Sequence, residues 1–534
     1  MNNELLIKNC RIVDGSGNAA YHADILIHGD RIEKIGRFEN VEVARVIDAG
    51  GRYVTPGFID AHSHSDITIS DNPLAQSTIR QGVTAEIVGH CGLGLAPRTL
   101  ESKARGAGAL GGYQEKRVIV GSFTEMMEQL FGAGISENMG WFIPHGTLRQ
   151  LVGEQGPKVS PEQLDIMKTA LREAMRGGAL GLSTGIEFPP GRTTVQEEID
   201  ELLSVVKEFD GVYSSHIRNR DEFIENAVDE FLSTLRRANI RGSISHFNVR
   251  HNTNVPPMGW ERSVAKMEKA REEGLDVLGE MTPFPWGIGV AQTLLPPWIM
   301  ENGPAAAAKL LEDPEIRKRL RTDCDRYWRF IHKGEWDRVG IQSNIPFPEL
   351  NGLSMKDAAN RMGMDEWDCF FEILAKSGEV MGGNWLKARL YSDEHMLQKI
   401  GQHQFMMTVD GYSADLDNKE LSDSLGFCLH YMGMIHYLIA YVRDMRVISI
   451  EECVRRMSGL PASHYRLKDR GVIREGAFAD INIFNLNNLR ENSTLDDPYH
   501  YATGIDYVIV NGVPVIDQGE HTLARPGVLL KAAY

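Results

Sequence analysis

The central part of this chain alternates short apolar runs with longer amphipathic stretches, and this alternation constrains the fold more than any other feature. Between the runs, "PEQLDIMKTALREAMRGG" and "TVQEEIDELLSVVKEFDG" carry apolar residues at helical spacing and end in glycine. Strands that alternate with helices indicate a parallel sheet covered by helices. The sequence therefore predicts an α/β protein with a (β/α)8 TIM-like barrel. Its eight candidate strands are "GFIDAHSH", "TAEIVGH", "GWFIPHG", "ALGLSTG", "GVYSSHIR", "GSISHFN", "LDVLGEMTPF" and "QFMMTVDG".

Both ends of the chain have a different, β-rich texture. Near the N-terminus lie "ELLIKNCRIVD" and "ADILIHGDRIEKIG", and near the C-terminus lie "FADINIFNL" and "DYVIVNGVPVIDQG". The last of these contains an Asn-Gly pair, which favours a tight hairpin. We therefore expect residues 1–55 and 460–534 to form one small β-sandwich domain beside a barrel over residues 56–459.

A long excess of chain, about residues 287–403, separates the seventh and eighth predicted strands. It contains "PAAAAKLLEDPEIRKRLRTDCDRYWRFI", which is typical of helices. If it lies at the C-terminal face of the barrel, it covers the face where barrel enzymes place their active sites. A lid over the site and a peripheral helical decoration both fit this pattern equally well.

Composition disfavours several functional classes. The net charge of −16 argues against nucleic acid and anionic membranes as partners. We expect neither a signal peptide nor a membrane span, because no segment has the required pattern. The oligomeric state stays open, a homo-oligomer included. Scattered cysteines without a CxxC pair are typical of a reduced, cytoplasmic protein; they are Cys10, Cys91, Cys324, Cys369, Cys428 and Cys453.

Histidine and aspartate side chains stand at the C-terminal ends of four predicted strands. His62 and His64 are two residues apart, so both point to the same face of the first strand. His216 ends the fifth strand, His246 the sixth and Asp410 the eighth. One such histidine alone is more often structural, but a closed barrel brings all five residues to one mouth. Imidazole and carboxylate ligands suit zinc and similar divalent ions.

This constellation predicts metal-dependent hydrolysis of a C–N bond. A divalent metal lowers the pKa of a water bound to it and polarises a carbonyl group. A carboxylate beside the metal accepts a proton from the attacking water and delivers it to the leaving amine. Asp410, which is isolated in "TVDGYS", is the candidate for this general acid and base.

The chain resembles the amidohydrolase superfamily, whose first strand carries the HxH motif present here as "DAHSH". Within that superfamily it is most similar to the D-aminoacylase (N-acyl-D-amino-acid deacylase) group. The matching stretches include "VGHCGLGLAP", "GALGLSTGIEFPPG", "SSHIR", "ISHFN" and "RMSGLPASHYRLKDRGVIREGAFADINIFN". The resemblance covers nearly the whole chain. It implies cleavage of a linear amide in a small molecule, with deacylation of an N-acyl-D-amino acid as the leading expectation.

The resemblance also implies a role for Cys91. Many amidohydrolases bridge two metals with a carboxylated lysine at the end of the fourth strand, but "GALGLSTGIEFPPG" contains no lysine. In the D-aminoacylase group a cysteine after the second strand is a ligand instead, and Cys91 matches it. By resemblance, Cys91, His216 and His246 form one tight zinc site, and His62 and His64 serve a second, weaker divalent site. A buried, inert thiol is the alternative for Cys91.

The substrate pocket departs from the D-aminoacylase pattern. That group tends to have Tyr where this chain has Phe188, Lys where it has Asn248, and "YPY" where "FPW" ends at Trp286. The segment after Asp410, "GYSADLDNKELSDSLGF", also lacks the arginine that holds a substrate carboxylate in the group. A site built to pair a carboxylate rejects substrates without one. The lost groups therefore indicate a different or more apolar substrate.

Arginines on other loops are candidates to restore the carboxylate contact. They are Arg192, Arg218, Arg220 and Arg250, and Arg218 is the best placed because it directly follows the fifth strand. Solvated loop charges are the alternative.

His145, in "PHGTLR", either lines the pocket or packs at the start of a loop. Two other substrates stay open: an amide without an α-carboxylate, and a cyclic amide of the hydantoinase or dihydroorotase kind, which the missing fourth-strand lysine disfavours.

Overall fold

The structure is a computed structural model that describes residues 4–39, 41–100, 117, 119–153, 156, 158–188, 191–323 and 326–533. Pro189 and Pro190 of the fourth-strand motif, and Cys324, lie outside the described residues. None of the described helices combines the length and the apolar composition needed to cross a membrane. The α-helices span Gln76–Ile79, Phe123–Gly132, His145–Val152, Pro161–Gly177, Gln196–Glu208, Ile224–Ala238, Gly259–Glu272, Pro297–Met300, Gly303–Leu310, Pro314–Asp323, Met355–Met362, Glu366–Ser377, Asp393–Ile400, Lys419–Ser424, Leu429–His436, Ile450–Val454 and Leu460–His464.

Eight parallel strands form the barrel, and each coincides with a predicted run. Neighbours pair in parallel from the first strand to the eighth. Beyond the strand ends, Asp410 N–H donates to His62 O at 2.9 Å and His64 N–H donates to Gly411 O at 2.8 Å, which joins the eighth strand to the first. The barrel strands are Phe58–Asp60, Val83–Val88, Asn138–Pro144, Gly181–Gly185, Val212–His216, Arg241–Ile244, Val277–Met281 and Phe405–Met407.

Local sequence signals explain where the barrel helices begin and end. Helix Pro161–Gly177 starts at a capping box, in which Ser160 Oγ accepts from Gln163 N–H at 3.2 Å and Gln163 Oε1 accepts from Ser160 N–H at 2.8 Å. It ends at Gly178, whose φ of 113° only glycine adopts readily. Its inner face buries apolar residues such as Leu171 against the barrel.

The two β-rich ends of the chain form one sheet with its own apolar core, separate from the barrel core. The Asn-Gly prediction is confirmed, because Asn511 and Gly512 have φ values of 48° and 77° between two antiparallel strands. This pairing of chain ends anchors both termini of the barrel to the same small domain. Its strands are Glu4–Ile12, Tyr21–His28, Arg31–Gly36, Arg45–Asp48, Tyr53–Pro56, Ile481–Phe484, Ile505–Val510, Val513–Asp517 and Glu520–His521.

The chain between the seventh and eighth barrel strands contains the expected helices, but also a sheet that the sequence did not predict. Strands Trp286–Val290 and Val339–Ser343 both pair antiparallel with Trp385–Arg389. Pairing across such sequence separations depends on the tertiary fold, so a purely helical expectation for this insertion was incomplete. Ile288 of this sheet packs against a small cluster that includes Tyr412, so the insertion contacts the barrel mouth.

Candidate metal centre

The first and eighth barrel strands meet at the predicted ligands. The buried Asp60 Oδ1 accepts hydrogen bonds from His62 N–H at 3.1 Å and from Val409 N–H at 3.0 Å. This junction places Asp410 Oδ1 3.5 Å from His62 Nε2 and 3.4 Å from His64 Nε2. The predicted general acid and base therefore lies beside both histidines of the first strand.

Cys91 lies between the two sets of histidines. Its Sγ atom is 3.4 Å from His62 Nε2, 3.6 Å from His216 Nδ1 and 3.3 Å from His246 Nε2. All six predicted ligand and catalytic residues thus meet at one mouth. Their ligand atoms form overlapping groups of three, each within 4.8 Å: His62, His64 and Cys91; Cys91, His216 and His246; and His62, His246 and Asp410.

Three of these residues have backbone conformations that side-chain-bearing residues rarely adopt. Cys91, His246 and Asp410 have φ values of 55°, 34° and 59°. The turn that carries Cys91 also packs closely against the fourth strand. A Cβ atom added at Gly92 would lie only 2.8 Å from Gly185 N, which leaves no room for a side chain at this position. Such strain persists where surrounding packing enforces it, and it is common at functional sites. Here the strained backbone at Cys91, His246 and Asp410 directs their side chains toward the same centre.

Burial controls the protonation of the ligands. It lowers the pKa of His62 to about 3 and, together with Arg220, that of His216 to about 3, so both imidazoles are neutral and free to bind a cation. Burial raises the pKa of the Cys91 thiol, so metal binding must displace its proton. Burial opposes ionisation of Asp410, but the neighbouring His62, His64 and Arg220 outweigh it and lower its pKa below the usual range.

Two carboxylates contact the ring nitrogens of His62 and His216 that do not face Cys91. Glu280 Oε2 lies 2.6 Å from His62 Nδ1, and Glu187 Oε2 lies 2.6 Å from His216 Nε2. Carboxylates in this position fix the orientation of ligand histidines and raise their basicity. The sequence analysis missed both, although Glu280 could have been noticed as a charged residue inside an apolar strand.

The donor set fits zinc. It contains a thiol, four imidazoles and a carboxylate, which are the side chains that zinc prefers. The histidines are buried, and two of them, His62 and His216, are supported by carboxylates as in known zinc sites. Cys91 belongs to two of the groups, so one thiolate serves either a single site or two neighbouring ones.

The predicted substrate residues divide into two sets. Phe188 packs edge-on against His216 with ring centroids 4.9 Å apart, and the Asn248 amide donates to His246 O, so both touch predicted ligand residues. His145 instead starts a helix and lies 2.7 Å from Glu198, in a buried ion-pair cluster. Trp286 begins the sheet of the insertion and packs only partly buried against the main core.

Three of the four candidate arginines are engaged with protein carboxylates, whereas Arg192 Nε donates to the backbone oxygen of Glu187 at 2.8 Å. Arg218 contacts both carboxylate oxygens of Glu230, at 2.9 Å for the shortest contacts. Arg250 lies 2.6 Å from Glu187 Oε2, and Arg220 lies 3.2 Å from the same oxygen. Arg220 also lies 2.8 Å from His246 Nδ1, within the ligand cluster. These guanidinium groups therefore support the centre or the barrel wall.

Tyr412 also lies at the centre, although the sequence analysis did not single it out. Its ring centroid is 5.6 Å from that of His64, and it is only 7% exposed. Burial, with the nearby Asp410, Asp66 and Cys91, raises the pKa of its phenol. Its position two residues after Asp410 was a usable signal, because the loop after the eighth strand borders the mouth.

Known proteins resemble this chain over nearly its whole length. The sequence pattern of the Amidohydrolase family matches residues 45–277 and 427–516. An N-acyl-D-glutamate deacylase of Alcaligenes xylosoxydans xylosoxydans is 29% identical and a D-aminoacylase of the same organism is 27% identical; each alignment covers 99% of this chain, and 96% and 97% of the relatives. The structure of N-acyl-D-glutamate deacylase from Bordetella bronchiseptica, complexed with zinc and a phosphonate inhibitor, has a TM-score of 0.81, 25% identity and 99% coverage of both chains.

Proposed function

Since the chain belongs to the amidohydrolase family, we propose that this metal-dependent hydrolase of linear amide C–N bonds acts on N-acyl-D-amino acids. The observation that supports this proposal most directly is the position of Cys91. Its Sγ atom lies within 3.6 Å of ring nitrogens of His62, His216 and His246, and Asp410 belongs to the same cluster. Two relatives that align with 99% of the chain are deacylases of N-acylated D-amino acids by name. Both observations favour the same reaction.

We propose zinc as the resident metal. Cys91, His216 and His246 would hold it most tightly, because a thiolate and two buried, neutral imidazoles are strong zinc donors whose ligand atoms lie close together. His62 and His64, with Asp410 beside them, would hold a second, weaker divalent ion. When bound, the metal supplies Lewis-acid chemistry for the water and the amide carbonyl.

Asp410 moves the proton in this reaction. Its lowered pKa keeps the carboxylate ionised at neutral pH, so Oδ1 is able to accept a proton from the attacking water. The same oxygen then returns the proton to the departing nitrogen. The Asp410 N–H donates to His62 O at 2.9 Å, and this backbone contact keeps the carboxylate at the centre during both steps.

A specific observation favours a second candidate, hydrolysis of an amide that lacks an α-carboxylate. Arg218 is paired with Glu230, while Arg220 and Arg250 share the single carboxylate of Glu187, so each of the three guanidinium groups already has a carboxylate partner. A substrate carboxylate would have to compete with these pairs. A neutral substrate would meet the aromatic surface of Phe188 without that competition.

A paired substrate survey separates the two candidates. Zinc-loaded enzyme is assayed with N-acetyl-D-amino acids, their L-enantiomers and the corresponding carboxamides, and cyclic hydantoins serve as a further arm. Deacylation of the D-acids at least 10²-fold faster than of the L-acids supports the proposed function. Faster turnover of the carboxamides favours the neutral substrate, and turnover of hydantoins alone would contradict both.

The location of the protein is a further part of this proposal. Five cysteines among the described residues are free and buried, without a disulfide. Together with the scattered cysteine pattern, this supports a reducing compartment, and we propose the cytoplasm.

A further inference from the structure

We propose that Tyr412 is a catalytic residue whose hydroxyl donates a hydrogen bond to the carbonyl oxygen of the scissile amide. The inference rests on the proposed hydrolysis and adds a residue that the metal ligands and Asp410 do not include. Tyr412 follows Asp410 by two residues, so one short loop carries the proton acceptor and the phenol to the same mouth.

The ring of Tyr412 is held in a fixed position. Its backbone N–H donates to His430 Nδ1 at 3.2 Å, and the His430 ring packs edge-on against the phenol at 5.4 Å. The ring of His64 is a second neighbour, with ring centroids 5.6 Å apart. A hydroxyl on a ring that packs against two neighbours needs little reorganisation when charge develops near it.

The hydroxyl of Tyr412 is available to a substrate. Across the part of the chain that the structure describes, no side chain or backbone group forms a hydrogen bond with it. The contact between the rings of Tyr412 and His64 places the phenol beside the predicted metal ligands. A phenol with so little exposure usually finds a hydrogen-bond partner, and a bound carbonyl oxygen would provide it.

Phe188 forms a second aromatic wall of the centre, where it packs edge-on against His216. Its phenyl ring carries no hydroxyl and cannot be such a donor. Among the residues that the structure describes, Tyr412 is the one phenol whose ring packs against a predicted ligand histidine. The two aromatic walls therefore differ in chemistry, and the polar one lies beside Asp410.

In the proposed step the attacking water gives its proton to Asp410, and Tyr412 contributes only a hydrogen bond. As the water oxygen bonds to the carbonyl carbon, the electron pair of the C=O π bond moves to the oxygen, and the Tyr412 O–H hydrogen bond to it strengthens. The phenol keeps its proton throughout. When the C–N bond breaks, its electrons go to nitrogen, which takes the proton held by Asp410, and the carbonyl re-forms. Removing one such donor costs about 10²–10³-fold in kcat in comparable enzymes.

Tyr412→Phe tests this role, with Tyr431→Phe as the matched control. Tyr431 belongs to the same apolar cluster, but its hydroxyl is buried without a partner and the groups that act on it lie outside the metal centre. Both variants remove one oxygen atom from one cluster. They are compared with the wild type in kcat, KM, zinc content and affinity for a phosphonate analogue of the tetrahedral intermediate and for the amino-acid product.

We expect Tyr412→Phe to lower kcat by about 10²–10³-fold with KM changed less than about threefold. Phosphonate affinity should fall in parallel, while product affinity, zinc content and the Tyr431→Phe kinetics stay near those of the wild type. A Tyr412→Phe kcat within threefold of the wild type, or equal weakening of phosphonate and product binding, would overturn the role. The assay uses the fastest linear amide of the survey, so wild-type rates decide the substrate and the ratio of variant to wild type decides Tyr412.

Discussion

Replacing Lys399 by Met should stabilise the protein at neutral pH. Lys399 is 0% exposed, and its Nζ has no hydrogen-bond acceptor among the residues described. The ammonium lies 4.2 Å from the ring centroid of Tyr391. Burial, with a contribution from Arg220, lowers the pKa of Lys399 from 10.5 to about 7. Met has a similar length and no charge, so it fills the same space without the cost of desolvation.

The magnitude follows from the change in pKa. Between pH 7 and 10.5 the unfolded chain binds the proton more readily than the folded one, so wild-type stability rises with pH in this window. The lowering of about 3.5 pKa units corresponds to about 5 kcal/mol at pH 7. Met cannot make the cation–π contact of Lys399 with Tyr391, and its loss lowers the gain in stability by about 1–2 kcal/mol. We therefore expect Lys399→Met to gain about 3 kcal/mol at pH 7.

Urea unfolding of the wild type and Lys399→Met at pH 7 and pH 9 measures the effect. The gain should shrink at pH 9, because the wild-type lysine is then largely neutral in the folded protein. Lys387→Met is the control, since Lys387 is also buried but donates to Leu495 O at 2.9 Å, and it should show no comparable gain. A Lys399→Met variant that is less stable than the wild type at pH 7, or whose gain is independent of pH, would refute this reasoning.

Three further predictions concern the centre and its support. Asp410→Asn should lower kcat by about 10²–10⁴-fold at unchanged zinc content, because an amide cannot accept the proton; full turnover in steady-state assays would contradict its role. Dialysis against a chelator should abolish activity, and added zinc should restore it. Cys91→Ser should bind zinc at least about tenfold more weakly in chelator competition, because an alcohol is a poorer ligand than a thiolate. Equal zinc affinity of the variant and the wild type would exclude Cys91 as a ligand. Burial and the neighbouring Glu86 raise the pKa of Glu137, so wild-type stability should fall as pH rises above the ordinary glutamate pKa. Glu137→Gln mimics the protonated acid and should flatten the dependence of the urea midpoint from pH 5 to 8; an unchanged slope would show that Glu137 is not responsible.

Local patterns were sufficient to locate the barrel strands and the residues at their ends. Strand runs, helix caps and the two-residue spacing of His62 and His64 depend on nearby residues, and all eight strands were found from them. The hairpin turn at Asn511 was predicted for the same reason. The assignment of Cys91 came from resemblance, and the metal roles of these residues stay predictions.

Contacts between distant segments were beyond the reach of the sequence. Glu280 is 218 positions from His62, and Glu187 binds Arg220 and Arg250 on two other loops. The sequence therefore offered these arginines as substrate contacts, whereas the fold pairs them with Glu187. The chain order of residue types set the strands and the candidate ligands, because strand and helix preferences are local. Barrel closure alone decided which arginines meet Glu187 and which tyrosine ring packs against His64, because those outcomes depend on distances between segments far apart in the chain.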